Sequence, residues 1–129
     1  MTHVLGDIRK DIYMEKTDSI LNSTKMKIGI DPEDDSFDGP IIDFINSVFA
    51  IMTQFSSNIG HDEGFEITGE TETWDDYTND TTTKALVKTY IYQKVKLVFD
   101  PPASSVLMEQ YKESIKEFEF RLGINDKGE

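Results

Sequence analysis

Apolar residues recur at helical spacing along most of the chain, and the last such stretch is the clearest. Leu107, Tyr111, Ile115, Phe118 and Leu122 fall four, four, three and four residues apart, the stripe of a helix with one buried face. Gly123 lies just past the last periodic residue and an apolar Ile124 follows, a pattern that closes a helix. Upstream, Asp100, Pro101 and Pro102 must end whatever helix precedes them, because neither proline can donate a backbone N–H and each pushes its predecessor out of the helical region. Ser104 or Ser105 is then placed to cap the next helix.

The helix before the corner is expected over residues 84–99. Val87, Ile91, Val95 and Val98 share one line, with Leu86, Tyr90 and Leu97 beside it. Over residues 41–55 the apolar set is broader. Ile41, Ile42, Phe44, Ile45, Val48, Phe49, Ile51, Met52 and Phe55 cover more than one stripe, which predicts a central helix packed on two sides and opened by Gly39 and Pro40. A shorter helix, capped by Asp18 or Ser19 and running to Lys27, carries Ile20, Leu21, Thr24 and Ile28 on one side and repeats the Gly-Ile ending at Gly29 and Ile30. Leu5, Ile8 and Ile12 also keep helical spacing, but Gly6 and the terminal position make residues 1–17 an adaptable arm.

Residues 56–83 show no helical period. Turn chemistry clusters in residues 58–64 and 75–80, while Phe65 and Ile67 alternate with Glu66 and Thr68 before Glu70 and Glu72, which leaves room for a short β-hairpin. Trp74 is best placed to anchor the return of this loop onto the helices. The expected fold class is mainly α: a small bundle of three to five helices with a long acidic inter-helix loop. At 129 residues and 37% hydrophobic, the chain has material for one domain over 1–129 around one modest core, with a tail over 123–129.

Charge changes this picture more than composition does. From residue 28 to residue 83 there is no lysine or arginine but there are fourteen carboxylates. The other eleven acidic residues meet all thirteen basic ones, so the net charge of −12 is carried by the middle of the chain. Such a segment repels phosphate, which disfavours groove binding to nucleic acid and docking on anionic membranes. No apolar run approaches the ~20 residues that span a bilayer, and the first residues lack a signal-peptide core.

Catalytic constellations are missing from the sequence. With no cysteine and two isolated histidines, His3 and His61, neither thiol chemistry nor a zinc site is available. The acidic run from Asp31 fails as a calcium loop in both registers, because Ser36 stands where glycine is needed or Ile45 where the bidentate glutamate is needed. Paired carboxylates such as Asp34 with Asp35, or Asp75 with Asp76, lie in solvated loops with nothing apolar to shift them. The expectation is no enzyme and no cofactor.

One part of the chain carries a resemblance. Leu97 to Ser105 (LVFDPPASS), the close at Phe120, Arg121 and Leu122, Tyr90, Tyr92 and Lys94 in the helix before the corner, and two upstream segments, GFEITGE from Gly64 and TWDDY from Thr73, resemble the head-tail connector (adaptor) proteins of tailed bacteriophages. The resemblance implies a virion neck protein made in the host cytoplasm, forming a ring with itself, usually of twelve copies, beneath the portal protein. It also implies a next neck or tail-completion protein on the other face, with DNA passing through without specific binding. The portal contact would fall on Phe120, Arg121, Leu122 and Ile124, and the structural corner on Asp100, Pro101 and Pro102. The family often carries Trp where this chain has Phe120, and the tail after Ile124 is short.

Within a ring the acidic middle gains a role, because a lumen that repels phosphate lets DNA slide. Glu66, Glu70, Glu72, Asp75 and Asp76 are the candidate channel lining. A ring of identical subunits needs two different sticky patches per copy, and the helix over 41–55 and the loop over 56–83 are the candidates. The competing expectations are a non-viral helical protein-protein adaptor and an acidic DNA-mimic inhibitor. Gene position beside a portal or capsid gene separates the first, and a nuclease inhibition assay the second.

Overall fold

The structure is a computed structural model that describes residues 18–55 and 64–124. The arm with Leu5, Ile8 and Ile12, most of the turn region over residues 58–64, and the tail after Ile124 lie outside the described residues. Five helices are formed among the described residues: α1 (Ile20–Lys27), α2 (Asp38–Phe55), α3 (Trp74–Tyr77), α4 (Thr81–Phe99) and α5 (Ser105–Leu122). The fold is mainly helical, as the periodicity predicts.

Caps set the helix ends. Ser19 Oγ accepts from the Asn22 N–H at 3.2 Å, Asp80 from Thr83 at 2.8 Å, and Ser104 from Leu107 at 3.3 Å. At the other ends, Gly29 (φ 81°) and Gly123 (φ 70°) are the positive-φ residues. Their closures match: the Ile30 N–H donates to Lys25 O and the Gly29 N–H to Met26 O, while Ile124 donates to Glu119 O and Gly123 to Phe120 O. The same two-residue wording therefore builds the same cap twice.

α4 and α5 form an antiparallel pair about the Asp100-Pro101-Pro102 corner. Tyr90 Oη donates to Glu119 at 2.8 Å and Gln93 Nε2 to Ser114 at 2.8 Å, so residues later in α4 meet residues earlier in α5. The Asp100 carboxylate closes the end of α4 by accepting from Lys96 Nζ at 2.8 Å. One hydrophobic cluster joins α1, α2 and α4 with Ile67, Trp74 and Tyr77 of the intervening segment and with Ile115 and Leu122 of α5. Phe49, Phe65 and Tyr77 form an aromatic triangle with centroid separations of 4.9–5.2 Å.

Four expectations need correction. The two-sided central helix is not α2, whose fully buried residues Ile41, Ile45, Val48, Phe49 and Met52 make one stripe while Ile51 is exposed. The element buried on every side is α1, where Asn22, Ser23, Thr24 and Lys25 are buried along with Ile20 and Leu21. Second, no β-hairpin forms among the described residues. The Asn46 side chain takes both the N–H and the C=O of Ile67, and Glu72 takes the N–H groups of Thr68 and Gly69, leaving no backbone ladder to make.

Third, residues 64–83 contain α3 and the first turn of α4. A capping box between Thr73 and Asp76 starts α3, and Asp80 starts α4 three residues earlier than the apolar spacing suggests. Fourth, Leu107 is 53% exposed rather than part of the buried stripe: at the corner end the Leu97 and Phe99 side of the α4–α5 pair packs on the core, and Val98 and Val106 are left exposed with Leu107.

The two classes of glycine should respond oppositely to alanine. Gly29→Ala should cost about 1 kcal/mol, since a Cβ is disfavoured at positive φ although the space is open. Gly39→Ala, in the first turn of α2 with nothing near its Cβ, should stabilise by about 0.5 kcal/mol. Urea unfolding of the two variants measures both signs.

Candidate functional site

The acidic segment is an ordered structure whose carboxylates do much of the ordering. Asn22 Nδ2 on α1 donates to Glu70 at 3.2 Å. The Glu72 carboxylate gathers the Thr68 N–H at 3.0 Å, the Thr68 hydroxyl at 2.7 Å and the Gly69 N–H at 3.4 Å, tying off a tight loop. Asp76 and Thr73 cap each other's backbone at 2.9 and 3.1 Å, and Asp75 pairs with Lys84 at the start of α4. Glu66, Glu70, Asp75 and Asp76 are exposed and Glu72 is half-buried. The candidate channel residues therefore share one connected stretch of surface backbone, and four of the five also hold it in shape.

Two anchors fix that stretch to the bundle. Trp74 is buried, donates its indole N–H to Ser23 Oγ at 2.9 Å and meets Tyr92 edge to face at 5.7 Å. The core role expected of Trp74 is the one it has. The Ile20 N–H donates to Glu72 O at 3.0 Å and Ser19 forms an isolated antiparallel bridge with Thr73, so the segment lies directly on the start of α1. Of the basic residues on α4, Lys84 pairs with the acidic segment, Lys96 pairs with Asp100, and Lys94 lies over the Tyr90 ring at 6.0 Å.

The end of α5 separates the four residues of the expected portal contact. Phe120 is 81% exposed and Arg121 is exposed, ion-paired along the helix to Glu117 at 3.4 Å. Leu122 is buried in the core and Ile124 packs against it, folded back by the Gly123 turn. Two side chains face outward and two hold them in place.

The loop between α1 and α2 is pinned by a group the sequence reading passed over. Lys25 is buried, with its Nζ at 2.7 Å from Asp38 Oδ1 and donating to Pro32 O at 3.1 Å. Hydropathy reads a lysine at the end of a short helix as solvated, and only the acidic run seven residues on hints at a partner. The Thr73-x-x-Asp76 spacing was the legible signal for α3.

Among the described residues no cluster of His, Asp or Glu is arranged to hold a metal ion, and no helix is long and apolar enough to cross a membrane. A small helical bundle whose distinctive features are ordered surface carboxylates and an exposed aromatic at a helix end is a binding and assembly module. The chain belongs to the phage connector protein family, whose model matches residues 20–129 and so takes in all five helices. It is a structural connector protein of bacteriophage particles, from a family of structural proteins. No curated protein and no solved structure matches the chain.

Acid should loosen this site at Glu72. Burial pushes its carboxyl up, but the hydrogen bonds from Thr68 and Gly69 more than offset that and leave it below its ordinary value of 4.5. A carboxylate whose folded pKa is depressed contributes stability above its unfolded pKa and loses it as pH falls through the folded value. Glu72→Gln should therefore flatten the fall in urea midpoint below pH 4.5 relative to the parent chain. An unchanged slope would show that the carboxylate does not hold the loop.

Proposed function

We propose that this connector forms a ring beneath the portal of the DNA-filled head, joins it to the next neck or tail-completion protein, and continues the DNA channel. The observation that carries the reading is the family match across the whole bundle. Exposure at the end of α5 supports a reading at the level of residues. Phe120 and Arg121 contact the portal from the end of α5, with Leu122 and Ile124 as their buttress. A large exposed aromatic on a rigid helix end is the kind of side chain that dominates protein interfaces, because it contributes area with few rotamers to freeze.

Glu66, Glu70, Glu72, Asp75 and Asp76 line the channel. Fixed negative charge close to passing phosphate keeps DNA from sticking, which is what a conduit requires. The work is done by fit and charge, with no bond made or broken.

Deleting the gene should leave heads that fill with DNA but do not acquire tails, seen by electron microscopy of lysates; normally tailed, infectious particles would end the proposal. Phe120→Asp should keep unfolding stability within about 0.5 kcal/mol of the parent while lowering tail attachment about tenfold or more. Unimpaired attachment would remove Phe120 from the interface.

A further inference from the structure

We infer that consecutive copies interlock through the acidic loop before α2, which inserts Phe37 into the groove between α1 and α4 of the next copy. This rests on the ring reading and names the contact that builds it. The groove has a volume of about 580 Å³. Met26 of α1 and Tyr92 of α4 give it apolar walls, and Lys27 and Lys88 supply positive charge. Lys27 Nζ lies over the Tyr92 ring at 5.5 Å, so one wall joins an aromatic face to a cation. Among the described residues no carboxylate lines the groove.

The loop is the complementary shape and charge. Asp31, Glu33, Asp34 and Asp35 are exposed, and Phe37 among them is 51% exposed. The loop is also rigid. Asp31 accepts from the Glu33 N–H at 2.9 Å and Asp34 from the Ser36 N–H at 3.0 Å, while two backbone turns bond Asp34 to Asp31 and Asp38 to Asp35. Its two ends are clamped by the buried Lys25, which reaches both Pro32 and Asp38. An aromatic ring held outward by so much local structure has little entropy left to lose on docking.

Position decides between self-contact and contact with a neighbour. Lys25, which pins the loop, stands two residues from both Ser23 and Lys27, which border the groove; at 3.6 residues per turn that is about 200° round the helix. Loop and groove therefore lie on opposite sides of α1, so the loop cannot reach the groove of its own copy. One patch meeting a different patch on the opposite face is the head-to-tail geometry that a ring demands. Carboxylates against lysines also offset the repulsion between chains that each carry −12.

The chain has no cysteine, which allows a clean test. A deletion phage is complemented with an equal mixture of full-length Phe37→Cys and Ala85→Cys chains; Ala85 is exposed on the groove wall. Mild oxidation of purified particles should give a mixed Phe37–Ala85 disulfide dimer as the main product, while an amine cross-linker independently reports multimers. In parallel, Lys27→Glu with Lys88→Glu should lower particle-bound connector about tenfold, and adding Asp34→Lys with Asp35→Lys should restore most of it. Multimers without the mixed disulfide, or with pairs of like cysteines instead, would overturn this contact and leave the ring standing. Particles whose connector shows no multimers at all would overturn both.

Discussion

An ammonium group withdrawn from water must recover a carboxylate and further oxygen partners, or the fold bears an unpaired buried charge. Lys25 meets that condition through Asp38 and Pro32, and in doing so ties α1 to the loop that follows it and to the start of α2. Its neighbours solve the same problem with other partners: Ser23 accepts from Trp74, Asn22 donates to Glu70, and Thr24 returns its hydroxyl proton to Ile20 O at 2.7 Å. Asn22 and Ser23 thus tie down the acidic segment and Lys25 the loop before α2, while Thr24 is satisfied within the helix itself. A greasy helix in the same place would bury as much surface but would fix none of the connections.

That division of labour explains how a strongly acidic chain keeps definite surfaces. Carboxylates in solvated loops ordinarily repel one another and leave the backbone mobile. Here each acidic loop is anchored by α1, the second one also by Asn46 of α2 and Lys84 of α4, and its own carboxylates accept the backbone N–H groups that would otherwise be unpaired. Charge is held in place rather than merely displayed. At physiological salt, screening over about 8 Å means that only charge held at close range influences a partner or a passing polyanion. Ordered loops are therefore a precondition for any electrostatic role in assembly.

Helix ends were the most legible part of the sequence because capping is local. Gly29, Gly123 and the Pro101-Pro102 corner read correctly from a few residues of context, and Ser19 and Ser104 are each one of the two cap candidates the sequence offers. The central helix was misassigned because hydropathy treats Asn22, Ser23 and Lys25 as outward-facing, and their partners Glu70, Trp74 and Pro32 lie 7 to 51 residues away. The hairpin failed for a related reason: alternation from Phe65 to Thr68 is real, yet the strand partner is a single asparagine side chain on α2. Of the expected interface residues, Leu122 fell on the apolar stripe and Ile124 in the Gly-Ile ending, and both are turned inward. Long-range polar pairing was what the pattern could not carry.

The α4–α5 pair has the mechanical character a connector needs. Its helices are cross-tied by Tyr90 with Glu119 and Gln93 with Ser114, and the prolines at the corner remove the freedom to splay. Exposed apolar side chains sit at its two ends, Val98, Val106 and Leu107 at the corner and Phe120 at the other. Leu107 and Phe120 are thirteen residues apart on one helix, about 20 Å at the helical rise, too far for one small patch on a partner to cover both. A stiff element with exposed apolar side chains at each end keeps those two surfaces at a fixed spacing. Because the bundle core buries Ile115 between those ends and Leu122 just past Phe120, the spacing is set by the same packing that folds the chain.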